Sequence, residues 1–319
     1  MTDGTNLTIE KLHARVEEIF RKAGLNAIQA GAVARVIVAG ERDHCKSHGI
    51  YRIEGALRTV KAGKVKPDAV PELVAQEASA IVRVDAKGGF ANPAFELGVP
   101  VLAERARSHG LAGLVMCLSY ATVAPTGGSK PLLGTNPFAF GWPRRDNPPY
   151  VFDFATSVAA RGEIELHRRA GKQLPEGWAI DKDGKPTTDP ETALEGAMLP
   201  FGGHKGSAIS TMIELLAGIM IGDRTSPEVL DFLGTTTLSP VHGELIIAFS
   251  PEAFAAGRPG DPFARAEAFF EAIVGQGARL PSQRRFTARA ASQSEGITLN
   301  KAEIDYLDQL AEKGLDAVS

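Results

Sequence analysis

Apolar residues in the first sixty positions recur at helical spacing. Leu12, Val16, Ile19 and Phe20 share one face of segment 9–22, with Thr8 placed as an N-cap and Gly24 as a stop. A second helix, rich in Ala and Val, is predicted over 27–43, and a third from about 47 to 62, closed by Gly63. The period then changes. Segment 80–84 reads as a short β-branched strand turned by Gly88-Gly89, and 93–109 as a helix with Leu97, Val101 and Ala106 inward. Short strands follow at 114–118, 138–141 and 151–154, divided by turns such as Gly127-Gly128 and Gly134-Thr135-Asn136-Pro137. Segment 157–169 is predicted helical, and 173–190 a polar loop with a turn at Asp183-Gly184. An apolar helix over 207–222, a strand over 243–249, and helices over 262–274 and 301–312 complete the pattern.

This order is not the regular βαβ alternation of a doubly wound sheet. Neither the dinucleotide fingerprint G-x-G-x-x-G nor the phosphate loop G-x-x-x-x-G-K-[ST] occurs. A length of 319 residues suggests about two domains. With 44% hydrophobic and 23% charged residues, the chain can bury a core without disulfides or structural metal, and no metal site is expected. The net charge is −3 and basic residues are scattered among acids, which argues against a nucleic-acid surface. Cys45 and Cys117 form no paired motif, so a reducing cytoplasm is the expected compartment. The polar N-terminus is not a signal peptide. The apolar stretches at 27–40 and 212–221 are too short or too interrupted to cross a bilayer.

Four segments could carry chemistry. In Asp43-His44-Cys45-Lys46-Ser47-His48-Gly49-Ile50-Tyr51-Arg52, polar and reactive side chains crowd a junction between apolar helices. If Gly49 lies in the first turn of a helix, His48 and Arg52 project to nearly the same face. Arg can grip a carboxylate through two parallel hydrogen bonds and His can pass a proton near neutrality, a combination suited to a small anionic substrate. On residues alone His44 serves as well as His48, and a solvated turn explains the cluster too. The second segment, Pro200-Phe201-Gly202-Gly203-His204-Lys205-Gly206-Ser207, precedes an apolar helix. Free N–H groups at a helix start attract phosphate and Lys205 adds charge, although a Gly-rich loop with a Ser cap reads the same way. The third, 275–285, brings Arg279, Arg284 and Arg285 together as an anion site or a solvated basic loop. The fourth is Asp153-Phe154-Ala155-Thr156-Ser157, in which a strand delivers Asp153 and Thr156 or Ser157 caps the next helix, with Glu163 about two turns on.

Taken in order, Ser47-His48-Gly49-Ile50-Tyr51-Arg52, Leu133-Gly134-Thr135-Asn136-Pro137-Phe138-Ala139-Phe140, Asp153-Phe154-Ala155-Thr156-Ser157 and Pro200-Phe201-Gly202-Gly203-His204-Lys205-Gly206-Ser207 resemble the malate/L-lactate dehydrogenase-like family nearly end to end. Gly203-His204-Lys205-Gly206-Ser207 and Arg279-Leu280-Pro281-Ser282-Gln283-Arg284-Arg285 point to its cyclic ketimine reductase branch. The resemblance implies an α/β fold. A non-Rossmann NAD(P)-binding domain with a largely antiparallel sheet would span 109–279. A helix-rich substrate and dimerisation domain would be built from both chain ends, 1–108 and 280–319. It implies His48 as proton donor, Ser47 and Glu163 as its relay, and Arg52 as the substrate carboxylate clamp. Glu163 stands where the branch carries an Asp. Thr135, Asp153, Thr156, Gly203, His204, Lys205, Arg279, Arg284 and Arg285 would line the cofactor site, the arginines favouring NADPH while leaving NADH possible. A homodimer is implied, acting on a cyclic imino acid or a 2-keto acid. The same clamp and donor would serve a 2-hydroxy-acid (malate, lactate or ureidoglycolate) dehydrogenase.

One departure stands out. Where the family has a strand, a cofactor-contacting loop and a helix, Gly110-Leu111-Ala112-Gly113-Leu114 runs almost directly into Ser119-Tyr120-Ala121-Thr122. Loss of a core strand is costly, which favours a stretch left out of the sequence over a true deletion. An intact-mass measurement matching 33.8 kDa would refute that preference. A true deletion opens a third reading, a non-catalytic protein without its cofactor loop.

Overall fold

The computed structural model describes residues 4–74, 80–106 and 110–318. Strand β1 (Gly4–Leu7) leads into α1 (Ile9–Lys22), where Thr8 accepts the Lys11 N–H as a cap and Leu12, Val16, Ile19 and Phe20 are all buried. Helix α2 (Ala27–Arg42) is buried on most sides, which its small side chains permit. Helix α3 (Arg52–Lys61) starts later than predicted. Lys46–His48 form a 3₁₀ turn, and Gly49, at φ −88° and ψ −142°, is not helical. The premise that His48 and Arg52 share a helical face is therefore corrected. A hairpin follows from β2 (Glu72–Val74), which was not anticipated, and β3 (Arg83–Asp85). Helix α4 (Ala91–Arg105) matches its prediction up to the stretch 107–109, which lies outside the described residues.

Strands β4 (Ala112–Cys117), β5 (Phe138–Trp142) and β6 (Tyr150–Phe154) fall within two residues of their predicted limits. Helix α5 (Arg161–Arg169) begins four residues later than expected, so Glu163 lies in its first turn. The delay has a cause: Thr156 is bonded to the Thr135 carbonyl and Ser157 bridges Pro200, which holds that stretch extended. Neither caps α5; the Ser157 hydroxyl donates to the Ala159 carbonyl, and Ala160 occupies the cap position. The predicted polar loop instead holds β7 (Ala179–Ile180) and β8 (Pro186–Thr187). With α6 (Pro190–Glu195) and β9 (Ala197–Met198), they make a small sheet over Val123, Leu133 and Ile164. Helix α7 (His204–Ile213) passes into a π-helical turn, Glu214–Ile219, a geometry that local packing must enforce. Beyond it come α8 (Ser226–Leu233), β10 (Glu244–Phe249), α9 (Pro251–Ala255), α10 (Pro262–Val274), α11 (Gln283–Glu295), β11 (Ile297–Asn300) and α12 (Lys301–Lys313).

Two regions of core matter for the site. The largest apolar cluster joins α1, α2 and α3 to β11 and α12, through Phe20, Ile37, Leu57, Leu299 and Leu307 among others, so both chain ends share it. The central sheet has the order β10-β4-β5-β6, each neighbour antiparallel. Leu245, Ile247, Leu114, Met116 and Phe138 cover one face and meet Ile209, Ile213, Leu216 and Ala217. By the two-residue alternation of strands, the other face carries the paired row Ile246, Val115, Ala139 and Asp153, flanked by Gly113 and Gly141. The fold is thus mixed α/β with an antiparallel central sheet.

Candidate active site

The 3₁₀ turn between α2 and α3 presents Ser47 and His48. Ser47 Oγ lies 3.0 Å from His48 Nδ1, which leaves Nε2 for a partner outside the protein. Arg52, the first residue of α3, donates from Nε to the Ser47 carbonyl at 3.0 Å, and its exposed guanidinium keeps its remaining donors. The surface of His48 is exposed, yet crowding by protein holds its pKa below the ordinary 6.5. Desolvation is the main cause; the Arg52 and Arg285 cations act in the same sense and Asp153 opposes them. His44, the alternative histidine, is exposed at φ 56° and no hydrogen bond of its ring joins it to this group.

Asp153 reaches the same place from β6, and its Oδ2 lies 3.6 Å from Arg285 Nη1 on α11. A cleft of about 530 Å³ runs beside β6, lined by Tyr150, Phe152, Asp153 and Phe154 on one side and by residues 279–285 on the other. Its walls combine aromatic faces with Arg279, Arg284 and Arg285, a donor set that suits a flat heterocycle carrying phosphate.

Thr156 is a junction of three predicted segments. Its N–H and Oγ1 donate to the Thr135 carbonyl at 2.8 and 3.0 Å, and its own carbonyl accepts the Phe201 N–H at 3.0 Å. Thr135, Thr156 and the loop before α7 are therefore tied together. Gly202 and Gly203 turn that loop at φ 54° and 60°, and His204 and Lys205 stand exposed at the helix start. The free N–H groups predicted there are largely taken, since those of Lys205, Gly206 and Ser207 donate to Gly202, Phe201 and Gly203 carbonyls. An anion at this point would meet the His204 and Lys205 side chains more than the backbone. Neither residue lines the arginine cleft.

Glu163 is exposed, and its carboxylate makes no hydrogen bond to Ser47 or His48. Its neighbour Gly162 does approach: a Cβ there would stand 3.6 Å from Ser47 Cβ. The structure also adds a residue that the sequence did not single out. Arg161 donates to Thr236 Oγ1 at 2.9 Å and to the Leu194 carbonyl at 3.4 Å, and among the described residues it has no carboxylate partner. Burial pushes its pKa down, against the pull of Tyr120, Glu165 and Tyr51. A half-paired, largely desolvated guanidinium next in sequence to Gly162 is a second group able to meet an anion. Its only sequence signal was its place two residues before Glu163.

Comparison with known proteins follows the same lines. The malate/L-lactate dehydrogenase family model matches residues 7–114 and 101–308, two stretches that overlap at 101–114. The Δ1-pyrroline-2-carboxylate reductase of Agrobacterium fabrum is 74% identical over 345 aligned positions, covering all of both chains. Because this chain has 319 residues, at least 26 of those positions face no residue here. The Δ1-pyrroline-2-carboxylate/Δ1-piperideine-2-carboxylate reductase of Pseudomonas aeruginosa is 50% identical, covering 93% of this chain and 96% of that protein. The crystal structure of Δ1-piperideine-2-carboxylate reductase from Pseudomonas syringae superposes with a TM-score of 0.89 at 36% identity, over 96% of this chain and 99% of that one. The chain belongs to the malate/L-lactate dehydrogenase family.

Proposed function

We propose that this protein is an NADPH-dependent reductase of cyclic ketimines, converting Δ1-pyrroline-2-carboxylate and Δ1-piperideine-2-carboxylate to L-proline and L-pipecolate. The observation that carries this reading is the 74% end-to-end identity with a reductase of the first of these imines. The site supports it chemically. Arg52 offers parallel donors to the substrate carboxylate, and protonated His48 can give its Nε2 proton to the imine nitrogen while Ser47 holds Nδ1. Protonation makes the C=N carbon a better electrophile, and the negative substrate offsets the cations that depress the His48 pKa. Glu163 completes the relay in this reading, by movement of an exposed side chain toward Ser47.

The residues present fit a nicotinamide cofactor: the aromatic and arginine cleft beside Asp153, the Thr135–Thr156 tie, and Gly203, His204 and Lys205 at the start of α7. Arg279, Arg284 and Arg285 would hold the 2′-phosphate that distinguishes NADPH. When bound, the reduced cofactor supplies hydride to the imine carbon. The wider reading is a non-Rossmann cofactor domain over 109–279 beside a helix-rich domain from 1–108 and 280–319, in a cytoplasmic homodimer. No described helix is long and apolar enough to cross a membrane.

The deciding assay follows NADPH oxidation at about 340 nm, the reduced-nicotinamide band, on mass-verified protein. Both imines should turn over faster than pyruvate and oxaloacetate. Turnover of the keto acids alone overturns the imine assignment in favour of a 2-hydroxy-acid dehydrogenase.

A further inference from the structure

Glu41 lies on the last turn of α2, only 1% exposed, in the core that α2 shares with both chain ends. A carboxylate so placed needs partners, because an uncompensated buried charge is costly. Its partners all belong to the segment that carries the proposed active site. Oε1 accepts the Ile50 N–H at 2.9 Å. Oε2 stands 2.6 Å from Lys46 Nζ, which also reaches Glu303 Oε1 on α12 at 3.2 Å. The backbone is shaped to this contact. A Cβ at Gly49 would fall 1.9 Å from Glu41 Oε1, and one at Gly40 would fall 2.5 Å from the His48 carbonyl. Two glycines thus let the turn lie directly on α2, and the carboxylate grips it two residues before and two residues after His48 in the space of a single side chain: Lys46 on one side of Ser47-His48, Ile50 on the other.

We propose that Glu41 is a positioning residue for the reductase site, a buried clamp that fixes the Ser47-His48 turn against α2 and thereby sets His48 relative to Arg52. Lys46 is the accessory of the clamp and the Ile50 N–H is its main anchor. The inference rests on the reading of Ser47, His48 and Arg52 as the working residues.

The test reads the clamp through His48. Seven histidines allow its imidazole to be assigned and titrated by NMR. The groups acting on that ring are Ser47 on its own turn, Arg52 on α3, Asp153 on β6 and Arg285 on α11. In Glu41→Ala the freed turn moves His48 toward solvent, so its titration midpoint should rise toward the ordinary value. The turnover rate kcat for imine should fall at least tenfold, with KM for NADPH within twofold of wild type. Glu41→Gln retains an acceptor for the Ile50 N–H and should restore most of both. An unmoved His48 titration with unchanged kcat per folded protein in Glu41→Ala overturns the proposal, as does a Gln variant as impaired as Ala. If the Ala variant fails to fold, Glu41→Asp, which withdraws the carboxylate by one methylene, takes its place with the same expected readouts. The NMR arm needs no turnover. A shifted His48 in a protein that reduces no imine would refute the functional reading and leave the clamp standing.

Discussion

His48 and Arg52 divide the work in a way kinetics can separate. His48→Ala should lower kcat roughly 100-fold or more, the usual worth of a placed proton donor, with a small change in substrate KM. Arg52→Ala should chiefly raise substrate KM, by roughly 10- to 100-fold, as expected for a lost charge-assisted hydrogen bond. Unchanged steady-state parameters in both variants remove this pair from the mechanism. The depressed His48 pKa gives a pH signature. The donor must be protonated in the free enzyme, so kcat/KM for imine reduction should fall as pH rises through a value below 6.5. For stability the sign is opposite. A lowered folded pKa favours neutral His48, so its contribution is present above pH 6.5 and is lost as pH falls through the folded value. An activity limb lying above 6.5 would contradict the assignment of His48 as the donor.

The Gly134-Thr135-Asn136-Pro137 loop shows how one element is held for the benefit of another. Asn136 is fully buried at φ 30°. Its Oδ1 accepts the Ser119 N–H and the Ser226 hydroxyl, and its Nδ2 donates to Ser210 Oγ and to Glu214 Oε1, at 3.0 and 2.7 Å. Glu214 opens the π-helical turn and also accepts the Ser226 N–H, so the loop, the turn and the start of α8 share one polar network. Thr135 rests on this support and holds Thr156. Asn136→Ala should therefore destabilise the fold by about 3 kcal/mol or more, because it orphans several buried groups at once. Urea denaturation measures this, and a loss below about 1 kcal/mol would show that the network is not the anchor its geometry suggests.

At the scale of the molecule, the 26 or more positions that the Agrobacterium relative has and this chain lacks become a testable matter. The family model's two matched stretches meet at 101–114, between α4 and β4. The arginine cleft and the Thr135–Thr156 tie are present without that segment, so cofactor binding should persist in weakened form. At an intact mass of 33.8 kDa, NADPH should still raise the melting temperature, and grafting the relative's segment after Ala112 should tighten NADPH binding at least tenfold. A graft that folds and binds NADPH no better would show that the segment makes no useful cofactor contact.

The sequence by itself determined the elements whose signals are local. Helix α1 with its Thr8 cap, β4, β5 and β6 between their Gly- and Asn-rich turns, and α10 all lie where periodicity placed them, because an apolar stripe or a two-residue alternation needs no distant partner to be read. The family motifs likewise pointed to Ser47, His48 and Arg52. What only the tertiary structure decided depends on contacts between segments far apart in the chain. The Thr135 carbonyl, not a propensity, delays α5, and Asp153 meets Arg285 across 132 positions. The small β7–β9 sheet exists because a core is available for Ala179 and Ile180 to enter. Glu41 and Arg161 read as ordinary helical charges until the fold buries one beneath the His48 turn and sets the other against Thr236 and the Leu194 carbonyl, since burial is a property of the whole chain and has no local pattern.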